Sequence, residues 1–330
     1  MPTIELDLAP AACIRLRQYV ETAALAAGTI RTDHWATFGA QNRISFMPAG
    51  SRVRLSGGAG FDDCYALNFE PAGLRGWAHQ KWALWKTRKT SHRFIEAFLA
   101  GPGSGKLGLG EVGSVLGTPL TPHKPLAAYY FNLIEPHLQV NDHFQYLEIG
   151  AGSGYLAALL HHAHRCNVII VDLPEIIPFS FSYLNKLFPQ ASFQLPNEIA
   201  AAAGISRTAN FVFLSPDQIG LIPDGAVDLA VNTASFGEML PQQVRVYFEL
   251  LRRATSANGL FFTANRVEKW MSPTATATDD RAPAKSVAVR FDDYPWSPDD
   301  TEIFYGASRF HDIVQPHNPF LMRLVKLARD

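Results

Sequence analysis

The chain has 330 residues, 47% of them hydrophobic and 18% charged, with a net charge of −1. That length exceeds an average domain and can bury a sizeable core. The near-neutral balance implies no broad cationic field, which argues against nucleic acid or an anionic membrane as the main partner.

The first stretch, "MPTIELDLAP", carries acids and no basic run, so no secretory signal is expected. No uncharged apolar run is long enough for a membrane span. Cys13, Cys64 and Cys166 are far apart and odd in number, which predicts reduced structural thiols and a cytoplasmic protein. Residues 11–28 repeat apolar positions at helical spacing, and 77–101 form a second helical stretch opening with Trp77, Trp82 and Trp85. Their spacing predicts a packed core rather than a sugar-stacking platform. The basic run "KTRKTSHR" (86–93) reads as a solvated helix face. A glycine- and proline-rich stretch, 101–125, marks a boundary before the helix 126–138. These features predict a mainly helical amino-terminal segment or lid over residues 1–140.

From residue 144 the pattern becomes regular. Apolar strands "FQYLEIG", "NVIIVDLP", "ANFVFLSP", "AVDLAVNT" and "GLFFTANR" alternate with helices, ending in the helix 241–255 before the fifth strand. Near-continuous apolar strands alternating with helices predict a parallel sheet covered on both faces. Residues 272–285 are small and polar and read as a loop; "SVAVRF" and "TEIFYG" complete seven strands, the last antiparallel. The expected fold is therefore α/β and Rossmann-like over residues 141–330, with ligands at the carboxyl ends of the strands.

Three glycine-rich stretches compete for that ligand. "GPGSGK" would need Gly at 100 and Ser or Thr at 107 to be a P-loop, and the chain has Ala100 and Leu107. "GLGEVG" (108–113) follows a loop rather than a strand. "EIGAGSG" alone runs from strand through turn to helix, with Tyr155 where a dinucleotide fingerprint wants its third glycine. Glu148 beside that turn would repel a pyrophosphate, whereas a ligand carrying an ammonium and a sulfonium would suit it. Asp172, ending the second strand, is placed to accept from ribose hydroxyls. S-adenosyl-L-methionine has all these features and no phosphate.

"YLEIGAGSGYL", "VDLPEII", "VDLAVNTASFGEM", "YFELLRRATSANGLFFTANRVEK" and "FDDYPW" together resemble the sugar O-methyltransferases, within the class I S-adenosylmethionine-dependent methyltransferases. The resemblance covers roughly 115–330 and implies a seven-stranded methyltransferase sheet. It implies that Glu148, Gly150, Ala151, Gly152, Ser153 and Gly154 surround the methionine end. Asp172 and Leu173 would hold the ribose, and Ser215, Asp217 and Gln218 would lie near the adenine. Asn232 would sit beside the transferable methyl, with Thr233, Ser235, Phe236, Asn265 and Arg266 along the acceptor pocket. The acceptor implied is a sugar-like small molecule; a non-sugar small molecule, or a catalytically silent binding subunit, is the alternative. A homo-oligomer is compatible with all of this.

A sugar hydroxyl is a poor nucleophile near neutrality, so a positioned base is expected. Glu238, six residues after Asn232, and His123, just before the helix entering the fold, are the candidates. Each also has a structural reading, Glu238 as a helix-start acid and His123 as a loop hydrogen-bonder. No metal site is expected. "HHAHRC" (161–166) closes a helix, where imidazoles suit the dipole. His311 and His317 lack a third ligand, and Asp292 and Asp293 read as a surface turn.

Overall fold

A computed structural model describes residues 3–23, 43–47, 52–56, 114–115, 118–119, 123–202, 204–206, 208–271, 286–308 and 319–328. The expected helix with Trp77, Trp82 and Trp85, the stretches 101–113 and 272–285, Cys64, His311 and His317 lie outside these residues.

In chain order the amino-terminal elements are β1 (Thr3–Asp7), α1 (Pro10–Ala23), β2 (Arg43–Phe46), β3 (Arg52–Ser56) and the two-residue strands β4 (Ser114–Val115) and β5 (Thr118–Pro119). β3 pairs antiparallel with both β1 and β2. The described part of this segment is thus strand as well as helix. Then come α2 (His123–Ile134), β6 (Gln145–Ile149), α3 (Tyr155–His164), β7 (Asn167–Val171), α4 (Ile177–Leu187), β8 (Phe193–Gln194) and α5 (Pro196–Ala202). β9 (Phe211–Leu214), β10 (Val227–Thr233), α6 (Pro241–Ala254) and β11 (Thr255–Arg266) complete the parallel part. β12 (Glu268–Met271), β13 (Val287–Arg290), β14 (Thr301–Ala307) and β15 (Phe320–Lys326) follow.

The central sheet runs β14-β15-β11-β10-β6-β7-β9-β8. The strands from β11 to β8 are mutually parallel, and β15 lies antiparallel between β11 and β14. This is the mostly parallel sheet with antiparallel closure that the sequence predicts, with three corrections. It has eight strands rather than seven, because the short β8 adds an edge beside β9. "SVAVRF" does not join it, because β13 pairs with β12 in a separate hairpin. The antiparallel strand is β15, "FLMRLVK", which the apolar pattern does not single out.

The sheet is double-wound. One face packs on α1, α2, α3 and α4, through residues such as Leu16, Phe131, Leu160 and Phe181. The other packs on α6 and the β12–β13 hairpin, through Phe248, Leu251, Met271 and Val289. α6 shows why such a sequence folds so. Val244, Tyr247, Phe248 and Leu251 fall at i, i+3, i+4 and i+7 and all are buried, each contributing about 1.5–3 kcal/mol. Pro241 starts it, the Gln243 side chain accepts the Leu240 amide at 2.8 Å, and Arg252 and Arg253 complement its carboxyl end. β6 stands at the centre, where strand order reverses between β7 and β10, so a crevice opens at its carboxyl end. Among the described residues no helix is long and apolar enough to cross a membrane.

Candidate ligand site at the glycine turn

The turn joining β6 to α3 is built from three left-handed glycines: Gly150, Gly152 and Gly154 have φ of +71°, +56° and +76°. The Gly150 amide donates to the Val171 carbonyl at 2.8 Å, extending the β6–β7 ladder into the turn. The Gly154 amide closes back on Ala151 at 2.9 Å, and Gly154 caps α3 while Ser153 is buried beneath.

Asp172 reaches across from the end of β7. Its Oδ2 accepts the Gly152 amide at 2.9 Å and its Oδ1 the Leu173 amide at 2.8 Å. Its side chain is 7% exposed, and burial lifts its pKa to about 7 despite those two amides. Glu148 is 2% exposed beneath the turn, and burial lifts it further, to about 8. The neighbouring Tyr146 hydroxyl and Ala157 amide favour its charged form, and Asp172 opposes it. Yet neither Glu148 Oε2 nor the Tyr146 hydroxyl reaches a partner at hydrogen-bond geometry, so burial prevails. The turn therefore presents two nearly buried carboxylates, one with an orphaned oxygen, and has already given its Gly152 amide to an acid.

At the end of β9, Ser215 and Gln218 satisfy each other and the fold. Gln218 Oε1 accepts the Ser215 amide and hydroxyl at 3.2 and 3.1 Å, while its Nε2 donates to the Pro196 carbonyl at 2.9 Å. They shape the turn, and Asp217 stands exposed on it.

The end of β10 holds a buried polar network. Asn232 Nδ2 donates to the Ile149 carbonyl at 2.9 Å and to Ser235 Oγ at 2.5 Å, and Ser235 Oγ donates to Ile149 at 3.2 Å. Asn265 Nδ2 donates to Asn232 Oδ1 and to Thr263 Oγ1, both at 2.8 Å, and its Oδ1 accepts the Gly237 amide at 3.1 Å. These side chains join the carboxyl ends of β6, β10 and β11 to the turn after β10. Ala234, within that turn, takes a left-handed φ of +59° to let Ser235 fold back.

Phe236, expected along the acceptor pocket, packs into the core instead. It is fully buried on the α6 face against Tyr247, Phe248, Phe261 and Tyr294, because the left-handed step at Ala234 turns the chain under the sheet. Thr233 and Arg266 remain half-buried at their strand ends. Glu238 accepts Lys269 Nζ at 2.7 Å, an ion pair sequence reading does not foresee because its partner lies on β12. His123 is the first residue of α2, and its side chain lies outside the described set.

The histidines closing α3 are structural. His161 Nδ1 donates to the Cys166 carbonyl at 2.8 Å between the rings of Phe188 and Phe211, and His164 stacks on Phe131. Asp292 and Asp293 form an exposed turn, with Asp292 accepting the Tyr305 hydroxyl at 2.9 Å. Among the described residues no three of His, Cys, Asp and Glu converge as a metal site.

No family model matches the chain, and no curated protein matches it. Solved structures are similar over part of it. An S-adenosylmethionine-dependent methyltransferase from Clostridium acetobutylicum is 12% identical, with a TM-score of 0.38, over 63% of this chain and 93% of that one. A geranyl diphosphate C-methyltransferase from Streptomyces coelicolor is 10% identical, with a TM-score of 0.39, over 62% and 80%. An arsenic(III) S-adenosylmethionine methyltransferase from Chlamydomonas reinhardtii is 16% identical, with a TM-score of 0.34, over 57% and 64%. Likeness of this size assigns neither ligand nor residue roles, and the fold stands on its own strand order.

Proposed function

We propose that the chain binds S-adenosylmethionine at the β6–α3 turn and is a methyltransferase acting on a hydroxyl of a sugar or glycosylated small molecule. One observation carries the cofactor: the turn is framed by the buried carboxylates of Glu148 and Asp172, and its Gly152 amide already donates to Asp172. A pyrophosphate would find one donor fewer, and charge repulsion wherever either carboxyl group is ionised. A cationic ligand over the turn would be favoured by the buried Glu148 carboxyl group, whose Oε2 has no hydrogen-bond partner within the protein.

In this reading Glu148 favours the ammonium and sulfonium end, and Asp172 keeps acceptor capacity for ribose hydroxyls. Asp217 and the Ser215–Gln218 turn bound the adenine side. When bound, S-adenosylmethionine supplies a methyl group already activated on sulfur, so the protein's task is alignment and exclusion of water. Asn232, Ser235 and Asn265 act by holding three strand ends in register rather than by touching the acceptor. Thr233 and Arg266 are left to orient the acceptor. Glu238, on the short helix that follows β10 and paired with Lys269, is the candidate to receive a hydroxyl proton.

A specific observation supports a second reading, a binding subunit without turnover: most polar groups expected around the acceptor are satisfied inside the protein. Calorimetric titration with S-adenosylmethionine, S-adenosylhomocysteine, NAD and NADP tests the cofactor. Binding of the first pair near the micromolar range, about −8 kcal/mol, is expected; binding of a dinucleotide instead overturns the reading. Incubation with a sugar panel, read by mass shift, then separates enzyme from silent binder.

A further inference from the structure

α1 is distant in sequence from the glycine turn but docks beside the ends of β7 and β9. Arg15 donates to both Glu198 oxygens on α5, at 2.5 and 2.6 Å, and to the Phe193 carbonyl at 2.6 Å. Glu198 also accepts the Leu195 amide at 2.8 Å, and the adjacent Pro196 carbonyl accepts Gln218. A continuous polar chain thus runs from α1 through α5 to the turn after β9. Burial of Cys13 and Leu16 fixes the rotation of the helix, and that rotation aims Tyr19 at the segment following β7.

The Tyr19 hydroxyl donates to the Pro174 carbonyl at 3.1 Å, two residues beyond Asp172, and its ring is 3% exposed. Burial, then the charges of Glu175, Asp172 and Asp217, raises the phenol's pKa and keeps it a donor. Those same charges place Tyr19 among the carboxylates of the ribose and adenine side. Within the segment, the Leu173 amide goes to Asp172 and the Leu173 carbonyl takes the Ile176 amide at 2.8 Å. The Pro174 carbonyl is met from another element, by the Tyr19 hydroxyl.

We propose that Tyr19 is a positioning residue for the ribose end of the cofactor site, clamping the Leu173–Pro174–Glu175 segment so that Asp172 keeps the orientation set by Gly152. The inference rests on the cofactor reading above and extends the site to the amino-terminal helix.

The test is a ligand–variant cycle. Tyr19→Phe removes one oxygen and keeps the ring; its melting temperature checks the fold. Affinities of wild type and variant are measured for S-adenosylhomocysteine and for its 2′,3′-dideoxy analogue. Loss of about five- to tenfold is expected for the ribose-bearing ligand, with the dideoxy analogue unchanged within about twofold. Arg15→Met, which removes the tie between α1 and α5 without touching the segment, should shift the two ligands in the same direction as Tyr19→Phe does. Equal losses for both ligands, or no loss for either, overturn the clamp while leaving the cofactor reading intact. A wild-type protein that binds neither S-adenosylmethionine nor S-adenosylhomocysteine removes the cofactor reading and the clamp with it.

Discussion

Gly150 and Gly152 both need left-handed backbone, yet a methyl group would fail at each for a different reason. At Gly150 it would press on the Ser235 side chain, 2.5 Å from its Cβ, and Ser235 is pinned by Asn232 and Ile149. At Gly152 nothing lies within 4 Å. Gly150→Ala should therefore destabilise by about 2–4 kcal/mol, strain and overpacking together, read as a drop in Tm. Gly152→Ala should cost only about 1–2 kcal/mol but obstruct the ligand, weakening S-adenosylmethionine at least about tenfold. Unchanged affinity in Gly152→Ala would place the ligand elsewhere. Glu148 makes a prediction about pH. Its pKa rises from 4.5 to about 8, so the native state holds a proton the unfolded chain has lost across that window. Stability should fall as pH rises from about 5 to 8, by a few kcal/mol at most, and Glu148→Gln should flatten the slope in thermal melts. Affinity for the cationic ligand should move oppositely, rising with pH over the same window as the carboxylate ionises. A pH-independent affinity would separate Glu148 from the ligand.

At the scale of elements, the Asn232–Ser235–Asn265 network decides whether the strand ends stay in register. Asn265→Ala leaves the Gly237 amide without its buried acceptor and removes one of the two donors to Asn232 Oδ1, the Phe236 amide remaining at 3.2 Å. That should cost about 2–4 kcal/mol, measured by denaturant midpoint at unchanged m-value. The network also marks the limit of sequence reading. β6, β7, β9, β10 and β11 are legible because each is a short apolar run between turn residues, and the glycine turn is legible from its strand–helix context. That Asn232 and Asn265 meet depends on the parallel register of β10 on β11, which no local pattern carries. β15 escapes detection because Arg323 interrupts its apolar run. In the fold that guanidinium lies over the Trp296 ring at 4.4 Å and pairs with Glu302, so a charge is tolerated inside a sheet. "SVAVRF" alternates as a strand should, but alternation does not name the neighbour.

For the whole molecule, Asp300 fastens three distant segments. It takes the Arg252 guanidinium at the end of α6 and the amides of Ser297 and Ala328. Burial opposes its charge, but Arg252 and the two amides hold its pKa below the ordinary value. This contribution is present above about pH 4 and lost as pH falls through the lower folded value. Asp300→Asn should cost about 2–4 kcal/mol at pH 7 and less near pH 3, seen as a shallower acid limb in thermal melts. An equal loss at both values would make the role one of packing alone.

The placing of β15 between β11 and β14 also inverts synthesis and assembly. A growing chain delivers β14 before the strand that must separate it from β11. Until residues 320–326 emerge, β11 keeps an open edge and β14 has no sheet to join. A nascent chain paused in that interval offers one open sheet edge and one unpaired strand to any neighbour, so the sheet is most open to misassembly in its last step.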